Sequence, residues 1–339
     1  MKTKEADLPA AAKRIIFTNR IKSIESVQAP MILISQVQRS GGTLLSQLFD
    51  NHPELMAHPS ELYIGKPTKY FWPRLNLKAS SDDLFASLRE PIAEVHAYKG
   101  YEKNSTAGTK TVEQVFHPFI FLQDLQAEIF INLLKGFPAA SQRQVLNCYV
   151  ASYFGAWLDY QGAYRPRKQI RYWTAFAPRL MSDKENRQLF FLDYPDGYWI
   201  AILRDPVSWY ASAAQHQPSE YGDIDKAIKI WQQSYEAVLD EQERNADRII
   251  VLMFEDLVKS PTALMKKLAA KLSINFDEAL LRPTFNSIPI LADSSFEVSK
   301  HGILMEAADR SEFIQRADIE RIRENTSGLY GKIAALRLA

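Results

Sequence analysis

The chain has 339 residues, 46% of them hydrophobic, enough to bury a large core in one α/β domain or two smaller ones. Lysine and arginine total 41 against 40 acidic residues, so the basic excess of a general nucleic-acid binder is absent and any anion site has to be local. The single cysteine, Cys148, excludes an intramolecular disulfide framework and fits a reducing, cytoplasmic setting. It reads as a small apolar filler of a helix, with no chemistry assigned to it.

Residues 1–20 alternate charges with short apolar pieces and lack the continuous apolar core of a signal peptide. No run elsewhere approaches the roughly 18–20 apolar residues of a membrane span, so a soluble protein without a transmembrane segment is expected. Residues 31–37, Met-Ile-Leu-Ile-Ser-Gln-Val, predict a buried strand. Residues 43–51, with Leu44, Leu45, Leu48 and Phe49 at helical spacing, predict a helix. Five prolines and many aromatics in residues 52–107 predict long loops with short helices of the kind that carry substrate contacts. Two long helices are expected over 111–136 and 141–162, a buried strand over 198–203 and a helix over 207–216. A charged amphipathic helix follows over 223–245, a strand over 248–254, and a helix opening at Ser260-Pro261 and ending near Leu272. Strands separated by helices imply parallel pairing with both faces covered. The expected fold is a single α/β domain, residues 25–335, with a central parallel sheet flanked by helices and an N-terminal extension over 1–24.

The stretch Arg39-Ser40-Gly41-Gly42-Thr43 lies between the first strand and its helix. Such a turn gathers backbone N–H groups and the positive end of a helix dipole around one point, which suits phosphate. Gly41 and Gly42 permit positive φ and close approach, Ser40 and Thr43 offer hydroxyls, and Arg39 supplies a permanent cation. The ATP-type spacing Gly-x-x-x-x-Gly-Lys-Ser/Thr is missing and no Lys precedes Thr43, which disfavours a nucleoside triphosphatase or another P-loop phosphoryl-transfer enzyme.

The run Gln38 to Leu45, followed by Asp50-Asn51-His52-Pro53, resembles the 5′-phosphosulfate loop of the sulfotransferases that use 3′-phosphoadenosine 5′-phosphosulfate (PAPS). Arg204-Asp205-Pro206 with Ser212 resembles that family's 3′-phosphate site. Phe254-Glu255-Asp256-Leu257 with Ser260-Pro261, and Pro283-Thr284-Phe285-Asn286 leading to Ser294-Ser295-Phe296, extend the likeness over about residues 31–305. Glu255 and Asp256 are read as a structural cap and charge pair. Two departures are Gly42, where many members have Thr, and Arg39, where cytosolic members have Lys. The arginine resembles the tyrosyl-protein and bacterial branches.

The resemblance implies a P-loop-like nucleotide fold and in-line sulfuryl transfer from PAPS, leaving 3′-phosphoadenosine 5′-phosphate (PAP), with no metal required. The cofactor-binding set it implies is Arg39, Ser40, Gly41, Gly42, Thr43, Leu44, Arg204, Ser212, Ser295 and Lys300. Lys110 resembles a lysine that some branches bring to the transferred group, and Glu113 one turn away is a possible ion partner for it. Glu61 is the leading catalytic base, displaced by one residue from the tyrosyl-branch pattern. His58, His96 and His117 are its rivals, whereas His52-Pro53 reads as a helix stop. The sulfuryl group is expected to pass to a hydroxyl or an amine, the expected acceptor being a glycan or small hydroxylated metabolite met by aromatic faces such as Tyr63, Tyr70, Phe71 and Trp72. A module that keeps both phosphate sites and transfers nothing is the remaining alternative.

Overall fold

The computed structural model describes residues 9–24, 28–64, 68–89, 101–103, 115–117, 120–137, 140–160, 169–292, 294–296, 298 and 300–338. They form two compact units. One holds Pro30–Leu62 and Arg171–Ala339, and the other is built from the described parts of Met1–Ala29, Tyr63–Lys103 and Gln114–Ile170.

The strands are β1 (Met31–Ile34), β2 (Leu55–Glu61), β3 (Tyr101–Lys103), β4 (Val115–His117), β5 (Tyr172–Phe176), β6 (Tyr198–Leu203), β7 (Ile249–Met253), β8 (Thr284–Phe285) and β9 (Ile288–Pro289). In the first unit β2-β5-β1-β6-β7 make one sheet whose neighbours are all parallel. All four β1 side chains are fully buried, the unbroken apolar run of a strand covered on both faces. In register, Leu33 stands between Ala175 of β5 and Trp199 of β6, and Ile202 faces Leu252 of β7.

Helices cover this sheet as the chemistry of their ends dictates. The Gly42–Phe49 helix buries Leu45, Leu48 and Phe49 in the core beside Ile32, Ile34, Ile200 and Ile250. The Pro206–His216 helix starts with its Pro at the first turn, where no N–H is needed, and Asp205 caps it by accepting from the Ser208 N–H. Asp223 caps the Ile224–Asn245 helix in the same manner. Pro261–Lys271 likewise begins on proline. The Arg316–Ala334 helix, which the sequence pattern did not indicate, leads to a final segment whose Leu338 N–H donates to Val251 O and so covers the outer edge of β7.

β2 and β5 correct the sequence reading. Residues 52–107 were expected to lack a strand, yet β2 is seven residues long and forms the other edge of the sheet. An edge strand needs its N–H groups on one side only, so Pro59 is accommodated where pairing jumps between Ala57 and Glu61. β5, Tyr-Trp-Thr-Ala-Phe, is too short and mixed to stand out by periodicity.

The second unit carries the helices Ala10–Ser23, Ser81–Leu88, Gln123–Leu134 and Gln142–Ala156, with the β3–β4 hairpin. The helix expected over 111–136 starts only at Gln123, because β4 precedes it. Gln142–Ala156 opens with a capping box of Ser141 and Gln144. Cys148 is buried on it, and burial pushes its thiol up to about 11. No described helix is long and apolar enough to cross a membrane.

The chain leaves β1 toward the β2 side of the sheet and leaves β6 toward β7, so a crevice opens outside the carboxyl ends of β1 and β6. Ile202, fully buried and one residue before the end of β6, tests how far the core holds it. Ile202→Ala is expected to cost about 2–5 kcal/mol of unfolding free energy, read from chemical denaturation with an unchanged denaturant slope.

Candidate functional site

The segment after β1 is fixed from four directions. The Val37 N–H donates to Ser234 Oγ (2.8 Å), Trp209 Nε1 donates to Gln38 O (2.7 Å), and Arg204 Nη1 donates to Arg39 O (2.8 Å). Tyr221 Oη donates to Gln38 Oε1 at 2.5 Å while accepting from Arg179. Positive φ falls on Arg39 (63°) and Gly41 (100°). Gly42, expected to share that conformation, is instead the first residue of the helix. Gly41 is obligatory on two counts: its φ suits glycine, and a Cβ there would stand 2.5 Å from the Phe254 ring. The Gly42–Phe49 helix has no side-chain cap, so its first N–H groups have no intrahelical partner and point out of its amino end.

One cavity of about 320 Å³ lies at this end of the first unit. Arg39, Gly41, Gly42, Thr43 and Leu44 line it from the turn, Arg204 and Ser212 from the β6 side, Glu61 from the end of β2, and Ser295 from the later loop. The structure thus brings together nine of the residues proposed from sequence. Ser40 is not among them: it is fully buried, with Oγ 3.3 Å from Tyr235 Oη, because Tyr235 anchors the turn from behind. Lys300 is exposed and does not line the cavity. Lys110, His96 and Glu113, and the side chain of His117, lie outside the described residues. His52 is structural: its Nδ1 accepts from the Glu54 N–H, which puts the ring proton on Nε2 facing Asn275 O (2.9 Å). His58 is buried and does not line the cavity. Of the aromatics expected to meet an acceptor, Trp72 is buried, Phe71 is exposed, and Tyr63 and Tyr70 flank Lys69; none of the four lines the cavity.

Arg204 is 5% exposed. Two of its N–H groups are spent on the carbonyls of Arg39 and Ala307 (2.8 Å each), its plane lies over Phe254 at 4.5 Å, and its buried Nε has no partner among the described residues. Burial, together with the like charges of Arg39 and Arg310 and opposed by Glu255, brings this guanidinium down to about 10, so it remains cationic at neutral pH. Arg310, which no local motif flagged, lines the same cavity with its guanidinium 4.6 Å over Phe296. Its backbone N–H is held by Ser208 Oγ (3.1 Å). His216, at the end of the Ser212 helix, was also missed. The lining therefore carries three arginines against one carboxylate, Glu61, in a chain whose net charge is only +1. Ser212 lies two turns beyond Asp205 on its helix, and Ser295 Oγ donates to its carbonyl (2.8 Å).

Behind the site the resembling segments act as braces. Asp50 accepts from Thr284 Oγ1 (2.6 Å) and the Ser287 N–H (2.9 Å), which ties the end of the Gly42–Phe49 helix to the β8–β9 hairpin. Asn286 and Ser287 form the two-residue left-handed turn of that hairpin. Glu255 Oε1 accepts from the Asp205 N–H (3.0 Å), whereas its Oε2 is buried without a partner among the described residues. Burial is the main reason that its carboxyl titrates above the ordinary glutamate range.

A crevice at the switch point of a parallel sheet, with three guanidiniums and an open helix amino end, defines a site for a polyanionic ligand on an α/β scaffold. The model of the sulfotransferase family matches residues 30–278, and the chain belongs to that family. Among solved structures, the sulfotransferase domain of the olefin synthase from Synechococcus PCC 7002 is 17% identical, with a TM-score of 0.46 over 90% of this chain and 98% of that one. A sulfotransferase from Mycobacterium avium is 12% identical, with a TM-score of 0.42 over 94% and 80%. Retinol dehydratase in complex with retinol and PAP is 13% identical, with a TM-score of 0.39 over 93% and 85%. A search of curated protein sequences finds no match.

Two substitutions test the braces. Tyr235 Oη donates to Ile202 O at 2.7 Å in a fully buried setting, so Tyr235→Phe should cost about 1–3 kcal/mol in chemical denaturation. A carboxyl raised by burial holds its proton more tightly in the folded chain, so its stabilising contribution is greatest at acid pH and declines as pH rises through the folded value. Glu255→Gln, which keeps the acceptor for Asp205, is accordingly expected to raise the melting temperature more at pH 8 than at pH 4.5.

Proposed function

We propose that this protein transfers a sulfuryl group from PAPS to a hydroxyl of a small-molecule or glycan acceptor. The observation that carries this reading is the convergence of Arg39, Arg204 and Arg310 on one cavity at the open amino end of the Gly42–Phe49 helix. Two anionic positions suit a bisphosphorylated nucleotide, one at the turn and one beside Arg204 and Ser212. Arg204 fits the second position because its buried Nε lacks an acceptor and its cation is crowded by two others, both of which an incoming phosphate relieves. Among the described residues no group of His, Cys, Asp and Glu is arranged to hold a metal. The three arginines meet the same need for positive charge.

PAPS supplies an activated sulfuryl group on a mixed phosphate–sulfate anhydride. The backbone N–H groups at Gly42, Thr43 and Leu44, with Arg39, stabilise negative charge on the phosphate side, and being fixed in advance they need no reorganisation. A guanidinium in this position stabilises an oxyanion without protonating it. Glu61 is assigned the acceptor's hydroxyl proton, a role supported by its position at the carboxyl end of β2 on the cavity wall. Lys110 is assigned to the transferred group by resemblance alone.

Calorimetric titration tests the nucleotide assignment without knowledge of the acceptor. PAP is expected to bind more tightly than ATP, and Arg204→Ala to weaken PAP about 10- to 100-fold, with a smaller loss for Ser212→Ala. Equal weak binding of both nucleotides, or indifference to both substitutions, would overturn the reading. Once an acceptor is found by labelled-sulfate transfer, Glu61→Gln should lower kcat by about 10²–10⁴-fold with PAP affinity retained.

A further inference from the structure

Gln36 lies two residues beyond β1 and two before the cavity lining begins at Gln38. Its side chain is 2% exposed, and neither Nε2 nor Oε1 has a hydrogen-bond partner among the described residues. A carboxamide in that state forfeits bonds at both ends, whereas a leucine or methionine would fill the same volume at no such cost. Its placement gives the reason for a polar group here. A Cβ built on Gly42 would stand 2.5 Å from Gln36 Nε2 and 2.3 Å from the Phe176 ring. Gly42 and Phe176 both line the cavity, so the amide sits immediately behind the glycine that opens the phosphate-turn helix. Any side chain on residue 42 would occupy the amide's position.

The backbone cannot carry the amide elsewhere. Gln36 O accepts from the Arg179 N–H (3.0 Å), and the next N–H, that of Val37, is bound to Ser234. Only side-chain rotation remains, and the amide lies against Gly42 and beside Phe176, both of which face the cavity.

We propose that Gln36 is a specificity-determining residue, whose Nε2–H donates to an oxygen of the sulfuryl group when the donor nucleotide is seated at the turn. This rests on PAPS being that nucleotide. With Gly42 in place of a threonine, the absence of a side chain lets an amide from the preceding strand end reach the position from which a residue-42 side chain would act. Because PAP has no sulfuryl group, Gln36 contributes to PAPS affinity and not to PAP affinity.

The test compares calorimetric Kd values for PAPS and PAP in the wild type and in Gln36→Leu, with melting temperature as the check on folding. Gln36→Leu is expected to bind PAP within about threefold of wild type, to melt at the same or a higher temperature, and to lose about 10- to 100-fold in PAPS affinity. An unchanged PAPS-to-PAP ratio, or equal loss of both, would overturn the inference and leave Gln36 a packing residue. Should the leucine variant not fold, Gln36→Met is read by the same criteria. If the wild type binds neither nucleotide, the proposed function falls and takes this inference with it. Wild-type binding with an unchanged ratio in the variant removes this inference alone.

Discussion

Arg204 is the constraint on which the site depends, because a guanidinium buried at the end of β6 has to be held and compensated. Its planar fork gives one N–H to the carbonyl of Arg39 and another to that of Ala307, so a single side chain fixes the turn after β1 and the loop that carries Arg310. Desolvating such a cation costs several kcal/mol, and carbonyl dipoles, the Phe254 face and the nearby Glu255 offset only part of that. Arg39 and Arg310 add to the strain by repulsion. These three cations make the cavity electropositive, the property on which the proposed nucleotide site rests.

The turn is held in shape by groups that do not line the cavity. Trp209, Tyr221 and Tyr235 each bury a large ring and present one polar tip to the chain around residues 38–40 or to the end of β6. Such side chains cost little entropy to fix, and they hold Arg39 in a left-handed conformation that a non-glycine residue adopts only under constraint. Donors fixed in this way act without reorganising, the condition for effective stabilisation of developing charge. The near-neutral chain thereby concentrates positive potential at one place while the rest of its surface stays balanced.

Legibility in the sequence followed locality. The β1–turn–helix unit was readable because its apolar run, glycines and helical leucines are contiguous, and Arg204-Asp205-Pro206 with Ser212 because strand end, cap and helix sit within one short segment. β2 was hidden because Pro59 reads as a breaker until the strand is known to be an edge. Glu61 was nonetheless singled out, through its resemblance to a family pattern, and it lines the cavity. Arg310 and His216 carried no signal, since neither lies in a motif and each reaches the site only through the path of its loop or helix. Ser40 went the other way: the motif marks it as a ligand contact, but Tyr235, almost two hundred residues distant, faces its hydroxyl.

The sequence by itself determined the family, the parallel α/β architecture, and which strand ends carry the turn and the arginine that meet at the cavity, because these are properties of short segments with their own periodicity and turn chemistry. Only the tertiary structure decided that Arg310 completes the cationic set, that Asp50 and the β8–β9 hairpin brace the turn's helix, and that Gln36 and Phe176 fill the space Gly42 leaves open. Those facts arise from contacts between segments far apart in the chain. Whether such groups meet depends on the summed geometry of the sheet and its crossovers, which no local pattern encodes.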